Sequence, residues 1–196
     1  MKKIPTLFER IYINHHVVET TPNVTPGLEW VLDGEGTATV KIDGSCCAII
    51  DGEFYKRYDA KKGKKPPEGA IPCCDPDPVT GHWPHWVKCS EKDPADKWHI
   101  EAFHHGGFFE NGTYEAVGPH FQGNPYGLKK DTLVRHGTQI IQVERAFDGI
   151  RDFLRNHCME GIVFWKDGVP QCKIKRSDFG FPWPEEGARL IWEENE

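Results

Sequence analysis

Short stretches in which apolar and polar residues alternate dominate the chain, and this alternation predicts β-strands. The stretch Thr37 to Asp43 alternates, is rich in β-branched residues and ends at Gly44. Cys46 to Ile50 and Glu53 to Tyr58 predict two more strands, joined by the turn sequence Asp51-Gly52. An Asp-Gly pair between apolar runs is a strong hairpin signal, so the three strands together predict a tight antiparallel meander.

The rest of the chain predicts further strands and one helix. The predicted strands are His99 to Phe103, Gly112 to Gly118, Thr138 to Val143, and a closing hairpin of Gly161 to Trp165 with Cys172 to Arg176. Ala146 to His157 instead has helical spacing, with Phe147, Ile150, Phe153 and Leu154 on one face. Residues 59 to 98 are rich in Lys, Pro, Gly and Asp, which predicts a long loop or irregular insertion. The predicted class is α+β, with mostly antiparallel sheets flanked by helices.

Composition is that of an ordinary soluble globular protein. Hydrophobic residues make up 38% and charged residues 28% of the 196 residues, a length that fits one domain. No apolar stretch approaches the length of a membrane span, so we expect no membrane association. The formal net charge is −6, so any contact with nucleic acid must come from a local basic patch.

The cysteines and the N-terminus indicate a reducing, intracellular setting, and we predict a cytoplasmic protein. The seven cysteines are an odd number and include the neighbours Cys46-Cys47 and Cys73-Cys74, so no disulfide framework is readable. The basic start, residues 1 to 5, leads into Phe8-Glu9-Arg10 and not into an apolar run, which argues against a signal peptide.

The first candidate for chemistry is Lys41-Ile42-Asp43-Gly44. A lysine at a strand end beside a turn is held in place, and its neutral amine is a nucleophile when burial or nearby cations lower its pKa. Taken alone, the pattern is more typical of a solvated hairpin end than of a reactive site.

Four later segments add residues of matching chemistry. They carry Arg57, Glu115 in Tyr114-Glu115-Ala116-Val117-Gly118, Glu160 before Gly161-Ile162-Val163, and the alternating pair Lys173 and Lys175. Alternate residues of a strand point to the same face, so we expect the two lysine side chains to lie together. Each carboxylate or lysine taken singly could equally belong to a solvated strand face.

In this order, the segments resemble the motifs of the covalent nucleotidyltransferases, which include DNA ligases, RNA ligases and mRNA capping enzymes. The resemblance covers roughly residues 30 to 184. It is closer to a family of small ATP-dependent 5′-to-3′ RNA ligases that also occurs in animals. Four segments carry this closer likeness: Lys41 to Cys47, Gly81-His82 through Trp86-Val87, Gly123 to Leu128, and Phe179 to Pro184.

The resemblance implies a fold, an activity and partners. Residues 1 to 196 would form a single nucleotidyltransferase (adenylation) domain of ATP-grasp-like type, without a C-terminal OB domain. The enzyme would transfer AMP from ATP to a lysine, pass it to an RNA 5′-phosphate, and seal that end to a 3′-hydroxyl. ATP and Mg²⁺ or Mn²⁺ are the implied cofactors, and RNA ends are the implied partners.

The resemblance also implies a role for each motif residue. Lys41 would be the nucleophile, Arg57 would hold the ribose or a phosphate, Glu115 would accept hydrogen bonds from ribose hydroxyls, Glu160 would bind the metal, and Lys173 with Lys175 would neutralise the α-phosphate. Many ligases have glutamate directly before the nucleophile, where this chain has Val40. The preference for ATP over GTP therefore rests on the resemblance and not on a residue that can be named.

Other functions stay open from the sequence. One is a different nucleotidyltransferase, either a capping-type guanylyltransferase or a DNA ligase. Another is a non-catalytic nucleotide- or RNA-binding module, with a zinc ion at Cys73, Cys74, His82, His85 and Cys89, although their spacing is not that of a paired C-x-x-C site. Basic residues at Lys56 to Lys65 and Lys129-Lys130 could contact RNA or form solvated loops. The oligomeric state is not predicted.

Overall fold

A computed structural model describes residues 3–14, 16–61, 63–78, 80–107, 110–184 and 187–190. The strands are β1 (Phe8–Ile13), β2 (His16–Val24), β3 (Thr37–Lys41), β4 (Ser45–Ile50), β5 (Glu53–Ala60), β6 (Ile71–Pro72), β7 (Trp83–Lys88), β8 (Gly112–Val117), β9 (Thr132–Arg135), β10 (Ile140–Ile141), β11 (Gly161–Lys166) and β12 (Val169–Lys175). The helices are α1 (Lys97–Gly106) and α2 (Phe147–Asn156), and single 3-10 turns lie at Glu29–Val31, Pro94–Asp96 and Arg176–Phe179.

The named strands form three sheets in which the paired strands run antiparallel, and these sheets accompany the two helices. The predicted α+β class with mostly antiparallel sheets is therefore confirmed. The chain divides into two compact units, a first of Asp43–His136 and a second that joins Ile4–Ile42 to the chain from Gly137 onward. The boundary falls inside the motif Lys41-Ile42-Asp43-Gly44.

The first unit is a six-stranded sheet with the strand order β6-β7-β5-β4-β8-β9. One face of the sheet is apolar because alternate residues of its strands are, and α1 covers that face with Ala102 and the Phe103 ring, which stacks on Phe54 at 4.8 Å. The core consists of Cys47, Ile49, Phe54, Cys89, Ala102, Tyr114, Ala116, Phe121 and Leu133. The opposite face of β4 and β8 carries Cys46 and Glu115 together with the apolar residues Ala48 and Val117.

The second unit contains the four-stranded sheet β10-β3-β11-β12, the hairpin β1-β2 and α2. Its core includes Ala38, Ile162, Phe164, Cys172 and Ile174 from the sheet, and Ile150 and Leu154 from α2. Phe147 and Phe153 pack against this core as partly buried residues. The predicted helix and its apolar face are therefore confirmed.

Two sequence predictions about residues 37 to 98 are wrong, one on strand pairing and one on a loop. The predicted meander fails at its first strand, because β3 pairs with β10 and β11 in the second unit, and only β4 and β5 form the predicted hairpin. Asp51 and Gly52 have positive φ values of 52° and 77°, as a two-residue hairpin turn requires. The predicted loop of residues 59 to 98 also contains β7, which pairs with β5 along its whole length.

The predicted strand from His99 to Phe103 is wrong, because this segment belongs to α1. Its Trp, Ile and Phe residues have high strand propensity, but the flanking signals are those of a helix. Asp93, which precedes Pro94, accepts a hydrogen bond from the Ala95 N–H at 2.9 Å and caps the 3-10 turn that leads into α1. Gly107 ends the helix with φ of 61°. Tertiary packing of Ala102 and Phe103 on the sheet completes the helix.

The other predicted strands are found with small changes in length. Gly112 to Gly118 corresponds to β8, and the closing hairpin corresponds to β11 and β12. The predicted strand Thr138 to Val143 shortens to the two residues of β10. All seven cysteines are free thiols. Neither helix in the described ranges has the length and apolar character needed to cross a membrane.

Candidate functional site

The amine of Lys41 is held at the end of β3 by a carboxylate. Its Nζ lies 2.5 Å from Oε2 of Glu160, and the two side chains are 23% and 13% exposed. Glu160 directly precedes β11, and the first residue of β11, Gly161, pairs with Lys41. The contact between two residues 119 positions apart is therefore fixed by the register of neighbouring strands.

A row of paired positions crosses three strands of the four-stranded sheet at this point. Gly161 pairs with Lys41 on one side and with Lys175 on the other, and Val163 pairs with Thr39 and Lys173 in the next row along that face. Paired residues of antiparallel strands project to the same face. Lys41, Lys173 and Lys175 therefore belong to one face, as the alternation of the two later lysines predicts.

The face is polar because the opposite face is the core of the unit. Val40 pairs with Ile162 and Ile162 pairs with Ile174, and all three side chains are buried. A strand that directs Val40 and Ile174 inward must direct the lysines that follow them outward. The apolar pattern thus determines where the amines lie.

Glycine is required at position 161 by a close approach of backbones. A Cβ atom built there would overlap the carbonyl oxygen of Ile174 and would lie 2.9 Å from the Cα of Lys175. No larger residue fits between β11 and β12 without separating them.

The backbone of β12 is held by hydrogen bonds at both Lys173 and Lys175. The backbone of Lys173 accepts a hydrogen bond from the Leu7 N–H at 2.8 Å and donates one to the Pro5 carbonyl at 3.0 Å. The Lys175 N–H donates to the carboxylate of buried Asp178 at 2.8 Å, and Asp178 also pairs with Arg10 at 3.1 Å. Backbone anchoring fixes where the two side chains begin.

In the first unit, Glu115 forms a polar cluster with two residues that the sequence analysis did not select. Glu115 is buried, and its Oε2 lies 2.8 Å from Nε2 of His136. Cys46 pairs with Glu115 across β4 and β8, and Val134 pairs with Glu115 across β8 and β9, which places His136, two residues on, on the same face. One sheet face thus carries a thiol, a carboxylate and an imidazole.

The environment of this cluster changes the pKa of the Cys46 thiol. Burial and the charge of Glu115 raise that pKa to about 12, against the lowering effect of the Arg57 guanidinium, which also hydrogen-bonds the thiol. Arg57 itself binds Asp59 at 2.8 Å. Burial alone would lower the pKa of Arg57, but the charge of Asp59 and this hydrogen bond outweigh it and raise that pKa. Arg57 and Glu115 therefore both act on Cys46.

The segment after Lys41 is held by the turn at Gly123 to Leu128. The backbone N–H of Asp43 donates to the hydroxyl of buried Tyr126 at 2.7 Å. Asn124, at φ of 56°, closes the turn with side-chain bonds to both the N–H and the carbonyl of Leu128, at 3.0 and 2.9 Å. This turn, which the sequence marked only as a family likeness, positions Asp43.

Glycine is also required at position 44, because neighbouring atoms of β8 leave no room for a side chain. A Cβ atom there would overlap the carbonyl oxygen of Ala116 and would lie 2.9 Å from Cγ of Glu115. The last position of the Lys-x-Asp-Gly motif thus packs against the strand that carries Glu115.

The lysines of the basic segment from Lys56 to Lys65 have different environments in the structure. Lys56 forms an ion pair with buried Asp96, so this lysine holds the fold and does not face a ligand. The remaining lysines at 61, 64 and 65, and the pair Lys129-Lys130, are exposed. Lys62 lies outside the described residues.

The cysteines and histidines of residues 73 to 89 do not form a metal site in the described part of the chain. Among all the described residues, the metal-binding side chains that come together as a group of three are those of Cys46, Glu115 and His136. His85 is 1% exposed, and its Nδ1 is hydrogen-bonded to the Trp83 carbonyl at 2.9 Å. Sequence spacing missed Cys46 and His136 because the pairing of β4, β8 and β9 is not visible in it.

No protein-family model and no curated protein matches the chain. Function must therefore be argued from the two sets of residues. Lys41, Glu160, Lys173 and Lys175 belong to the second unit, and Arg57 and Glu115 belong to the first.

Proposed function

We propose that the protein is an ATP-dependent RNA ligase that stores AMP on Lys41 and uses it to join a 5′-phosphate to a 3′-hydroxyl. The observation that carries the proposal is the Lys41–Glu160 pair on a sheet face that also bears Lys173 and Lys175. A partly buried amine at a strand end, on a sheet face that bears two further lysines, supports covalent nucleotide transfer.

The first step follows from the chemistry of the amine. Nζ of Lys41 loses a proton to water and forms a bond to the α-phosphorus of ATP, while the bond from that phosphorus to pyrophosphate breaks. Lys173 and Lys175 supply positive charge to the phosphate oxygens as negative charge builds there.

Glu160 is the residue that would hold Mg²⁺ or Mn²⁺. Mg²⁺ keeps several of its waters and is typically bound by one or two carboxylates together with substrate phosphates, so a single partly buried carboxylate fits. When bound, the ion neutralises phosphate charge. Glu160 also orients the amine directly, through the 2.5 Å contact with Nζ.

The first unit supplies the remaining roles. Glu115 would accept hydrogen bonds from ribose hydroxyls, and His136 fixes the orientation of its carboxylate. Arg57, with a planar guanidinium, would bind the ribose or a phosphate. These assignments, and a nucleotidyltransferase (adenylation) fold of ATP-grasp-like type, are supported by the motif order described above. AMP then passes to the RNA 5′-phosphate, and a 3′-hydroxyl displaces it.

Intact-mass spectrometry tests the proposal directly. After incubation with ATP and Mg²⁺ or Mn²⁺, we expect the protein mass to rise by one AMP, and we expect the adduct to disappear when 5′-phosphorylated RNA is added. Lys41→Ala should form no adduct. Lys166→Ala is the matched control, because Lys166 lies on the same sheet and forms a similar lysine–glutamate pair with Glu35 at 2.7 Å.

The alternatives give different results in the same assay. A capping-type enzyme would retain GMP from GTP and no AMP from ATP. A DNA ligase would lose its adduct to DNA ends and not to RNA ends. A binding module would form no adduct with either nucleotide. An adduct that persists in Lys41→Ala would refute the assignment of the nucleophile.

A further inference from the structure

The cluster around Glu115 has the composition of a metal site. The candidate ligand atoms of Cys46, Glu115 and His136 all lie within 4.8 Å of one another. They come from β4, β8 and the residue after β9, which are consecutive neighbours in the six-stranded sheet. The three side chains are therefore held by strand pairing and not by a loop.

The ligand types favour zinc over the harder cations. Zn²⁺ takes thiolate sulfur, imidazole nitrogen and carboxylate oxygen, whereas Mg²⁺ takes oxygen ligands almost exclusively. Three protein ligands also leave the fourth tetrahedral position for water or another small ligand.

The ring of His136 presents one of its two nitrogens to the cluster, because Nε2 lies 2.8 Å from Oε2 of Glu115. Nε2 is therefore the candidate ligand atom, and binding a cation there would leave the ring proton of the neutral imidazole on Nδ1.

We propose that Cys46, Glu115 and His136 form a zinc-binding site. Binding replaces the thiol proton of Cys46, which is released to solvent, with a sulfur–zinc bond. Arg57 lies near the thiol and repels a dication, but its partner Asp59 offsets part of that charge.

The test uses the full chain without nucleotide. Metal-free protein is titrated with Co²⁺, a spectroscopic substitute for Zn²⁺, and the thiolate-to-cobalt absorption band is followed. Zn²⁺ affinity and stoichiometry are then measured by competition with a chromophoric chelator. We expect one ion per chain, a thiolate band, and at least about a tenfold loss of affinity in Cys46→Ser and in His136→Ala.

Two further variants complete the design. Cys158→Ser removes a half-buried thiol elsewhere in the chain and should bind like wild type. Glu115→Gln should also weaken binding. Because glutamine has almost the same volume as glutamate, misfolding would not explain that loss. A thiolate band that survives in Cys46→Ser, or wild-type affinity in His136→Ala, would overturn the site. A wild-type chain without the band would overturn it too.

A consequence of the site rests on the proposed function. Because Glu115 would be needed by both zinc and ribose, stoichiometric Zn²⁺ should slow AMP transfer to Lys41 in wild type, and the ratio of rates with and without zinc should be closer to one in Cys46→Ser. The two failures are distinguishable. Zinc binding without any AMP adduct refutes the ligase and leaves the metal site, whereas an adduct without zinc binding does the reverse.

Discussion

Gly161→Ala is the smallest change that tests the row of paired positions around Lys41, the proposed nucleophile. The added Cβ would overlap the Ile174 carbonyl oxygen and lie 2.9 Å from the Cα of Lys175, where ordinary contact begins at about 3.4 Å. Both obstacles are backbone and the overlap with the oxygen is the larger, so β11 and β12 must separate.

The expected cost has a stability part and a kinetic part. Overpacking of this kind typically destabilises a protein by about 1–3 kcal/mol. β12 carries Lys175 and β11 pairs with Lys41, so separating the two strands displaces these lysines relative to each other. A misplacement of about 1 Å in a catalytic site can cost on the order of 10²-fold in rate. We therefore expect urea unfolding to show a lower midpoint and AMP-adduct formation to slow about tenfold or more.

A matched control separates a steric clash from the general effect of replacing glycine. At Gly149 in α2, the nearest atoms to an added Cβ belong to the side chain of exposed Glu144 and not to the backbone of a neighbouring strand, and alanine is favoured over glycine in a helix by about 1 kcal/mol. Gly149→Ala should therefore lose less stability than Gly161→Ala and form the adduct at the wild-type rate. A Gly161→Ala protein that unfolds and forms the adduct like wild type would refute the close approach of β11 and β12.

Three other substitutions test separate features. Tyr126→Phe removes the hydroxyl that accepts the Asp43 N–H, so we expect a loss of about 1–3 kcal/mol in urea unfolding and slower adduct formation; unchanged values would contradict the positioning role. Arg176→Met removes a buried guanidinium that donates to three backbone carbonyls, and thermal unfolding should show a loss of about 3 kcal/mol or more, with wild-type stability as the contrary result. Burial and, to a smaller extent, the charge of Lys56 lower the pKa of His99 below its ordinary 6.5, so the folded state resists protonation and stability falls as pH falls through that value. The unfolding free energy of His99→Gln should therefore decline less between pH 7 and pH 5 than that of wild type, and equal slopes would contradict this.

The sequence predicts local structure well where one pattern dominates. Alternation identified β4, β5, β8, β11 and β12, and helical spacing identified α2 together with its buried face. It failed for α1, whose aromatic residues favour a strand by propensity, while Asp93 caps the 3-10 turn that leads into the helix and Gly107 ends it. Local propensity competes with capping and packing, and only the packing of α1 on the sheet decides the outcome.

The residues of the candidate site also differ in whether the sequence alone can identify them. Residues that stand in short motifs, such as Lys41 and Glu160, can be selected from sequence. His136 and Tyr126 cannot, because their roles depend on which strand or turn lies beside Glu115 and Asp43. Pairing between segments that are far apart in the chain is information that a linear pattern does not contain.

The same pairing explains how three separated motifs act as one. Lys41, Gly161 and Lys175 occupy a single row across β3, β11 and β12, so a slip of one residue in any of these strands would turn its polar positions toward the core. The buried partners Val40, Ile162 and Ile174 prevent that slip, because burying a lysine without its partner would cost several kcal/mol. The apolar side chains therefore select the register, and the register places the amines. Val40, which precedes Lys41, has this structural role, because its buried side chain helps to fix the register that directs Lys41 outward.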